Sequence, residues 1–228
     1  MTMLVGMSDE ESIDREFYRQ LRRKMVEKQI VKRDVTDPAV IKAMHEVPRH
    51  LFVIENQTSD AYSDCPLPIG YDQTISQPYV VASMTEHLAL GPDSRVLEVG
   101  TGSGYQTAVL SLIAREIYTI EIIPQLHDRA VRLFARLGYS GITARCGDGS
   151  AGWIEKAPYN GIIVTAAAPK LPVLLVEQLA VGGRLIIPLG HSEEPLQSLY
   201  LIEKTTSGIE ERYLYDVRFV PMRGSIES

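Results

Sequence analysis

From Arg95 onward, short unbroken apolar runs alternate with longer stretches in which apolar residues recur every three or four positions. Arg95–Val99, Ile117–Glu121, Ile142–Cys146, Gly161–Thr165 and Leu185–Pro188 have strand length. Tyr105–Ile113, Pro124–Leu137 and Leu171–Leu179 carry the helical period. Continuous apolar strands are buried on both faces. Their alternation with helices predicts an α/β fold with a doubly wound, mostly parallel sheet. The pattern changes near the C terminus. Leu196–Glu203 and Glu210–Val220, separated around Ser207-Gly208, predict an antiparallel pair added at one sheet edge. Before the sheet, Ile13–Ile30 mixes charges with spaced apolar positions and reads as a helix. Pro38–Val47 reads as another, with Asp37 as the capping residue and proline at the first helical position. Together they form an N-terminal helical extension. Tyr62–Pro78 holds Pro66, Pro68, Gly70 and Pro78, so it is not one regular element. A structured loop of that length is usually functional. Val80–Leu90 returns to helical spacing.

Composition narrows the class. The 228 residues are 45% hydrophobic and 23% charged, enough for one substantial core. The formal net charge of -6 argues against a constitutive nucleic-acid binder, which needs cations to neutralise phosphates. Cys65 and Cys146 form no CxxC pair and the five histidines are scattered, so neither a disulfide scaffold nor a metal site is expected. Met1–Gly6 is apolar but short, lacks a basic start and runs at once into Asp9, Glu10 and Glu11, which does not read as a signal peptide. No apolar run approaches the roughly 20 residues that span a bilayer. The expectation is a cytoplasmic protein with no membrane contact.

The strongest local signal is Val96-Leu-Glu-Val-Gly-Thr-Gly-Ser-Gly104. Gly100, Gly102 and Gly104 follow a buried strand and open a helix, where glycine lets the backbone turn sharply and approach a ligand. A dinucleotide fingerprint would place its third glycine at position 105, which is Tyr105. With Glu98 two places before the first glycine, the pattern resembles the first motif of Rossmann-like methyltransferases, whose ligand is S-adenosylmethionine. Two more acids stand at successive strand ends. Glu121, about 20 residues beyond the first glycine, is placed to accept from both ribose hydroxyls. Asp148, in Gly147-Asp-Gly149, is placed to accept from the adenine amino group. Taken singly, each acid also reads as a solvated loop residue. Thr101 and Ser103 within the turn, Gly149 and Thr165 complete the expected cofactor set. Val181–Pro188 resembles a later motif of that superfamily, with a main role as a turn into a strand. Thr165-Ala-Ala-Ala-Pro169 lacks the Asn/Asp-Pro-Pro-aromatic motif of many base N-methylating enzymes, which counts against that chemistry.

Leu67-Pro-Ile-Gly70 followed by Thr74-Ile-Ser-Gln-Pro78 resembles the substrate loop of protein-L-isoaspartate O-methyltransferases. The resemblance runs from about Arg22 to Pro221 and includes Val47-Pro-Arg49, Phe52, Ala157-Pro-Tyr159, Val164-Thr-Ala166 and Val217-Arg-Phe-Val-Pro221. It implies methyl transfer from S-adenosylmethionine to the free α-carboxylate of isoaspartyl residues in damaged peptides and proteins, initiating repair through a succinimide. It implies an active-site hydroxyl at Ser76, with Thr74, Ile75 and Val220 on the substrate side, and no metal. No general base is required, because a carboxylate with a reference pKa of roughly 3.5–4 is already ionised near neutrality. Ser76 also reads as an ordinary loop serine before Pro78, and Val217–Pro221 as an ordinary edge strand.

Two other classes remain open on the residues alone: a methyltransferase of small carboxylates or RNA, and a non-catalytic adenosine-ligand module. The expected organisation is one methyltransferase domain over residues 1–228, acting as a monomer. Its parts are a helical extension to residue 60, a substrate loop and lead-in helix over 61–94, a cofactor-binding core over 95–190 and antiparallel strands over 191–228.

Overall fold

The computed structural model describes residues 9–191 and 195–225, with side chains from Glu16 onward. The expectation for Met1–Gly6 lies outside the described residues. Helix α1 (Asp9–Met25) runs into one wide turn, Val26–Ile30, that buries Val26 and Ile30. Proline then sets where three helices begin. Helix α2 (Pro38–Glu46) starts as its sequence predicts: the Asp37 side chain accepts from Ala39 N at 2.7 Å and Val40 N at 3.1 Å, satisfying two otherwise orphaned donors. Strands β1 (Leu67–Gly70) and β2 (Gln73–Ile75) precede α3 (Pro78–His87). There follow β3 (Arg95–Val99), α4 (Tyr105–Ser111), β4 (Glu116–Glu121), α5 (Pro124–Leu137) and β5 (Ile142–Cys146). The chain ends through β6 (Tyr159–Val164), α6 (Val173–Glu177), β7 (Leu179–Leu189), β8 (Gln197–Thr205) and β9 (Gly208–Val217).

Seven strands form one sheet in the order β5-β4-β3-β6-β7-β8-β9. The first five are parallel, and β8 and β9 add antiparallel at the edge, as expected. Strand order reverses at β3, which has β4 on one side and β6 on the other. In such sheets the crevice outside the strand C-termini at the reversal is the ligand site. Both sheet faces are covered. Val96, Ile163 and Ile186 pack with Leu110 of α4, with Met84 of α3 and with Leu88 just after it. Leu97, Val99, Ile162 and Leu185 pack with Leu175 and Val176 of α6 on the other side. Each fully buried side chain of this kind contributes about 1.5–3 kcal/mol relative to exposure. A third cluster joins Val26, Ile30, Val40 and Met44 of the N-terminal helices to Tyr105 and Val109 of α4, and to Ile69 and Ile75 of the hairpin. The extension thereby seats the hairpin above the crevice.

Three expectations need correction. Tyr62–Pro78 contains a hairpin, β1 against β2, closed by Tyr71 and Asp72 with φ of 57° and 59°. Two central residues at positive φ match the twist of a tight hairpin, but Tyr-Asp is not a residue pair that announces it. The helix expected over Leu171–Leu179 covers only Val173–Glu177. Pairing with β6 captures the chain immediately afterwards, through Tyr159 N donating to Gln178 O at 2.9 Å. The expected strand Leu185–Pro188 is correspondingly the C-terminal part of a longer one, Leu179–Leu189, whose register with β6 jumps between Tyr159 and Gly161. No helix among the described residues is long and apolar enough to cross a membrane.

Candidate active site

The crevice at the C-terminal ends of β3, β4 and β6 is a cleft with about 780 Å³ of empty space, mouth included. Its floor is the turn after β3. Gly100, Gly102 and Gly104 all take positive φ, of 98°, 54° and 86°. At Gly100 any Cβ would collide with Thr165 Oγ1, and at Gly104 it would lie 2.6 Å from the Phe134 ring. Glycine is therefore demanded by contact as well as by conformation. The turn is tied to the neighbouring strands. Gly100 N donates to Ile120 O at 2.8 Å, and Thr165 Oγ1 donates to Gly100 O at 2.6 Å.

Glu121 closes one wall. It is 5% exposed, and its carboxylate accepts from Gly102 N at 2.7 Å and Ile123 N at 2.9 Å. An ionised carboxylate offers about four acceptor sites, so two remain for a ligand diol. A glycine cradle at the foot of the cleft beside a carboxylate with spare acceptors fits S-adenosylmethionine.

Of the expected cofactor residues, Gly100, Thr101, Gly102, Ser103, Glu121, Gly149 and Thr165 line the cleft. Glu98, Gly104 and Asp148 do not. Glu98 is fully buried behind the turn, where Thr107 Oγ1 and Thr119 Oγ1 donate to its Oε2, the latter at 2.7 Å. Its Oε1 is buried without a partner among the described residues. Burial pushes its pKa up to about 8, despite the two donated hydrogen bonds. Thr119 continues the link, lying 2.6 Å from Thr101 Oγ1, so Glu98 is tied to the loop from behind the cleft. Gly104 serves close packing with Phe134 at the start of α4. Asp148 is taken by the C-terminal segment. Its Oδ1 accepts from Ser150 N at 2.8 Å, and its Oδ2 accepts from Ser225 N and Oγ, each at 2.8 Å. Partial burial opposes its ionisation, but these donors outweigh it and hold the pKa at about 2. Three acceptor sites of the carboxylate are therefore used, two of them in a clasp on the tail, outside the lining of the cleft.

The substrate-side residues converge on the same space. Thr74, Ile75, Ser76 and Val220 all line the cleft. Thr74 and Ile75 lie on β2, and Ser76 follows just before α3 begins. Neither the Thr74 nor the Ser76 hydroxyl makes a hydrogen bond among the described residues, and Ser76 is half-buried. Val220 is carried in by the tail: Ala167 N donates to Val220 O and Met222 N donates to Ala167 O, both at 2.8 Å. Sequence reasoning missed Ile122, Ala166 and Met222, which also line the cleft. The first two directly follow the expected Glu121 and Thr165, so their positions were available. Met222 had no local signal. Beneath the cleft, Arg49 of Val47-Pro-Arg49 is fully buried, donates from Nε to Ala61 O at 2.8 Å and lies 4.8 Å from the Tyr105 ring centroid. Burial pushes its pKa down to about 10.

The reversed strand order, the glycine cradle at the end of β3 and the carboxylate at the end of β4 define an S-adenosylmethionine-dependent methyltransferase. The sequence model of the Protein-L-isoaspartate(D-aspartate) O-methyltransferase family matches residues 19–227. The chain belongs to that family and is a protein-L-isoaspartate O-methyltransferase. A protein-L-isoaspartate O-methyltransferase from Synechococcus sp. is 52% identical over 206 residues, covering 88% of this chain and 84% of the relative. One from Desulfosudis oleivorans is 51% identical over 207 residues, covering 91% and 93%. A solved protein-L-isoaspartate O-methyltransferase structure superposes with a TM-score of 0.82 at 30% identity, covering 90% of this chain and 67% of that one. A Plasmodium falciparum candidate for the same activity, solved in complex with S-adenosyl-L-homocysteine, gives a TM-score of 0.76 at 27% identity, covering 90% and 98%.

Proposed function

We propose that Ser76, assisted by Thr74, orients the α-carboxylate of an isoaspartyl residue for methylation, and that the turn Gly100–Gly104 and Glu121 hold S-adenosylmethionine. The observation that carries this reading is the meeting in one cleft of a free, half-buried hydroxyl, the glycine cradle and Glu121. When bound, S-adenosylmethionine supplies an electrophilic methyl group on a sulfonium. The substrate carboxylate is ionised near neutrality and is itself the nucleophile, so the protein's residues need only position it. Ser76 Oγ–H donates to one carboxylate oxygen and leaves the other to react. Ile75, buried beside it, and Val220, carried by the tail, exclude water from the reacting oxygen. Positioning of this kind contributes roughly 7–11 kcal/mol in favourable cases.

The product methyl ester has a better leaving group than the acid. Attack by the following main-chain nitrogen on the ester carbonyl expels methanol and forms a succinimide. Hydrolysis of that ring returns part of the material to normal aspartate.

We read the chain as one domain, since the N-terminal helices share a core with α4 and the hairpin. We read it as a monomer that does not engage nucleic acid: the cleft is built within one chain, and the net charge is -6. Two exposed free cysteines, Cys65 and Cys146, suit a reducing cytoplasm.

Single-turnover methylation of an isoaspartyl peptide at saturating cofactor tests the central assignment. Loss of one positioned donor costs on the order of 10²–10³ in rate at an oxyanion site. Ser76→Ala should lose less, about 10–100-fold, because negative charge disperses as the methyl transfers. S-adenosylmethionine affinity should stay near wild type. A wild-type rate in Ser76→Ala refutes the role; a large loss of cofactor affinity moves Ser76 to the cofactor side.

A further inference from the structure

Thr74 and Ser76 line a second cavity as well as the cofactor cleft, a groove with about 740 Å³ of empty space, mouth included. Three rings stand in its walls: Tyr79 on α3, Tyr215 near the end of β9 and Phe219 just beyond it. Val80 and Leu196 add apolar surface. Tyr79 and Tyr215 lie 6.2 Å apart between ring centroids, and the Arg33 guanidinium sits 3.5 Å from the Tyr79 centroid. We propose that this groove is a subsite for an aromatic side chain flanking the isoaspartyl residue of the substrate, and that Tyr79, Tyr215 and Phe219 determine that preference.

Continuity fixes the occupant. Arg218 and Phe219 line the groove and Val220 lines the cofactor cleft, so one extended stretch of chain passes from one cavity into the other. Neighbouring residues of an extended peptide are spaced by about 3.3–3.6 Å. A peptide whose carboxylate rests at Ser76 therefore delivers an adjacent residue into the groove. The proposal rests on the Ser76 reading given above.

The polar groups around the groove explain why rings rather than charge select. Tyr215 OH donates to Ser83 Oγ at 2.8 Å, and Phe219 N donates to Gln197 Oε1 at 2.9 Å, which pins both residues. Arg33 is paired with Asp64 at 3.2 Å, and Arg218 Nε donates to Pro195 O at 3.1 Å. Asp216 accepts from Ser198 Oγ at 3.2 Å and from Tyr213 OH at 3.1 Å. Arg33 is neutralised by Asp64, and Asp216 offsets Arg218 in the lining without pairing with it, leaving little net charge to attract an acidic or basic flank. What remains for a ligand is pinned ring surface, and offset or edge-on stacking against it favours a planar side chain.

The test is kcat/KM on matched isoaspartyl peptides that carry Gly, Leu, Glu or Tyr at one or two positions on either side of the isoaspartyl residue. Tyr on one flank should raise kcat/KM about tenfold over Gly, through KM, with Leu between them and Glu near Gly. Tyr215→Ala, Phe219→Ala and Tyr79→Leu should each pull the Tyr-to-Gly ratio toward one, whereas Tyr215→Phe should keep it. The three positions serve as independent probes if one variant fails to fold. Equal rates across flanks, a preference for Glu, or a Tyr preference that survives the ring substitutions overturns the subsite while leaving the Ser76 reading intact. Failure to methylate every isoaspartyl peptide, the Gly-flanked one included, overturns that reading and the subsite with it.

Discussion

Three acids at three strand ends look alike in the sequence, and their surroundings give them three different tasks. Glu121 is the acid that faces the cleft, with two of its acceptor sites used by Gly102 and Ile123. Replacing it by alanine removes a charged acceptor and loosens the glycine turn. A hydrogen bond to a charged group is worth about 1.5–3 kcal/mol, so Glu121→Ala should weaken S-adenosylmethionine binding roughly 10–100-fold by calorimetry. An unchanged dissociation constant would remove Glu121 from the site. Glu98 keeps its proton to a much higher pH than a free carboxyl. Its pKa rises from 4.5 to about 8 on folding, so the folded chain holds a proton that the unfolded chain has lost between those values. That contribution to stability is full below the unfolded pKa and declines as pH rises toward and through about 8. Glu98→Gln keeps an acceptor for Thr107 and Thr119 and cannot ionise. Its thermal stability should be flatter than wild type between pH 5 and 8, and parallel profiles would show that Glu98 is ionised. The place of Glu121 beside the glycine turn was legible because an acid closing a strand about 20 residues past the first glycine meets the loop again by geometry. The surroundings of Glu98 and Asp148 were not, since burial and a partner 77 positions away set them.

The glycine-rich turn, the strands around it and the prolines that open α2 and α5 were readable locally because backbone and capping chemistry set them. Two other elements were not. The β1–β2 hairpin turns on Tyr71 and Asp72 at positive φ, a conformation the rest of the molecule imposes. The tail beyond β9, which the sequence reads as strand as far as Val220, leaves the sheet after Val217 and makes only an isolated bridge between Ala167 and Pro221. It is held by the bonds of Val220 and Met222 to Ala167 and by the Asp148 clasp on Ser225. That clasp gives the tail a testable energy. Asp148→Ala should cost about 1.5 kcal/mol of stability at neutral pH. It should also speed amide exchange at Ser225 and raise KM for peptide more than it lowers cofactor affinity. Because the Asp148 pKa is held at about 2, the wild-type contribution persists down to about pH 4 and is lost only in stronger acid. Selective loss of cofactor affinity in Asp148→Ala would restore a direct role for the carboxylate in the cleft.

At the scale of the whole molecule, each segment of the chain contributes one wall of one site. The parallel sheet places the cradle and Glu121 at the strand reversal, the N-terminal helices seat the hairpin that carries Thr74 and Ser76, and the antiparallel edge leads Val220 back across the opening. A site fixed on three sides discriminates by geometry. Isoaspartyl and aspartyl peptides contain the same atoms, but the carboxylate and the onward chain exchange places across one methylene, so under the proposed placement only one isomer holds its backbone in the groove with its carboxylate at Ser76. The most direct measurement is transfer of labelled methyl from S-adenosylmethionine to a matched pair of such peptides. Rapid labelling of the isoaspartyl peptide with only background on its aspartyl twin is the predicted result; comparable rates on the two would contradict it.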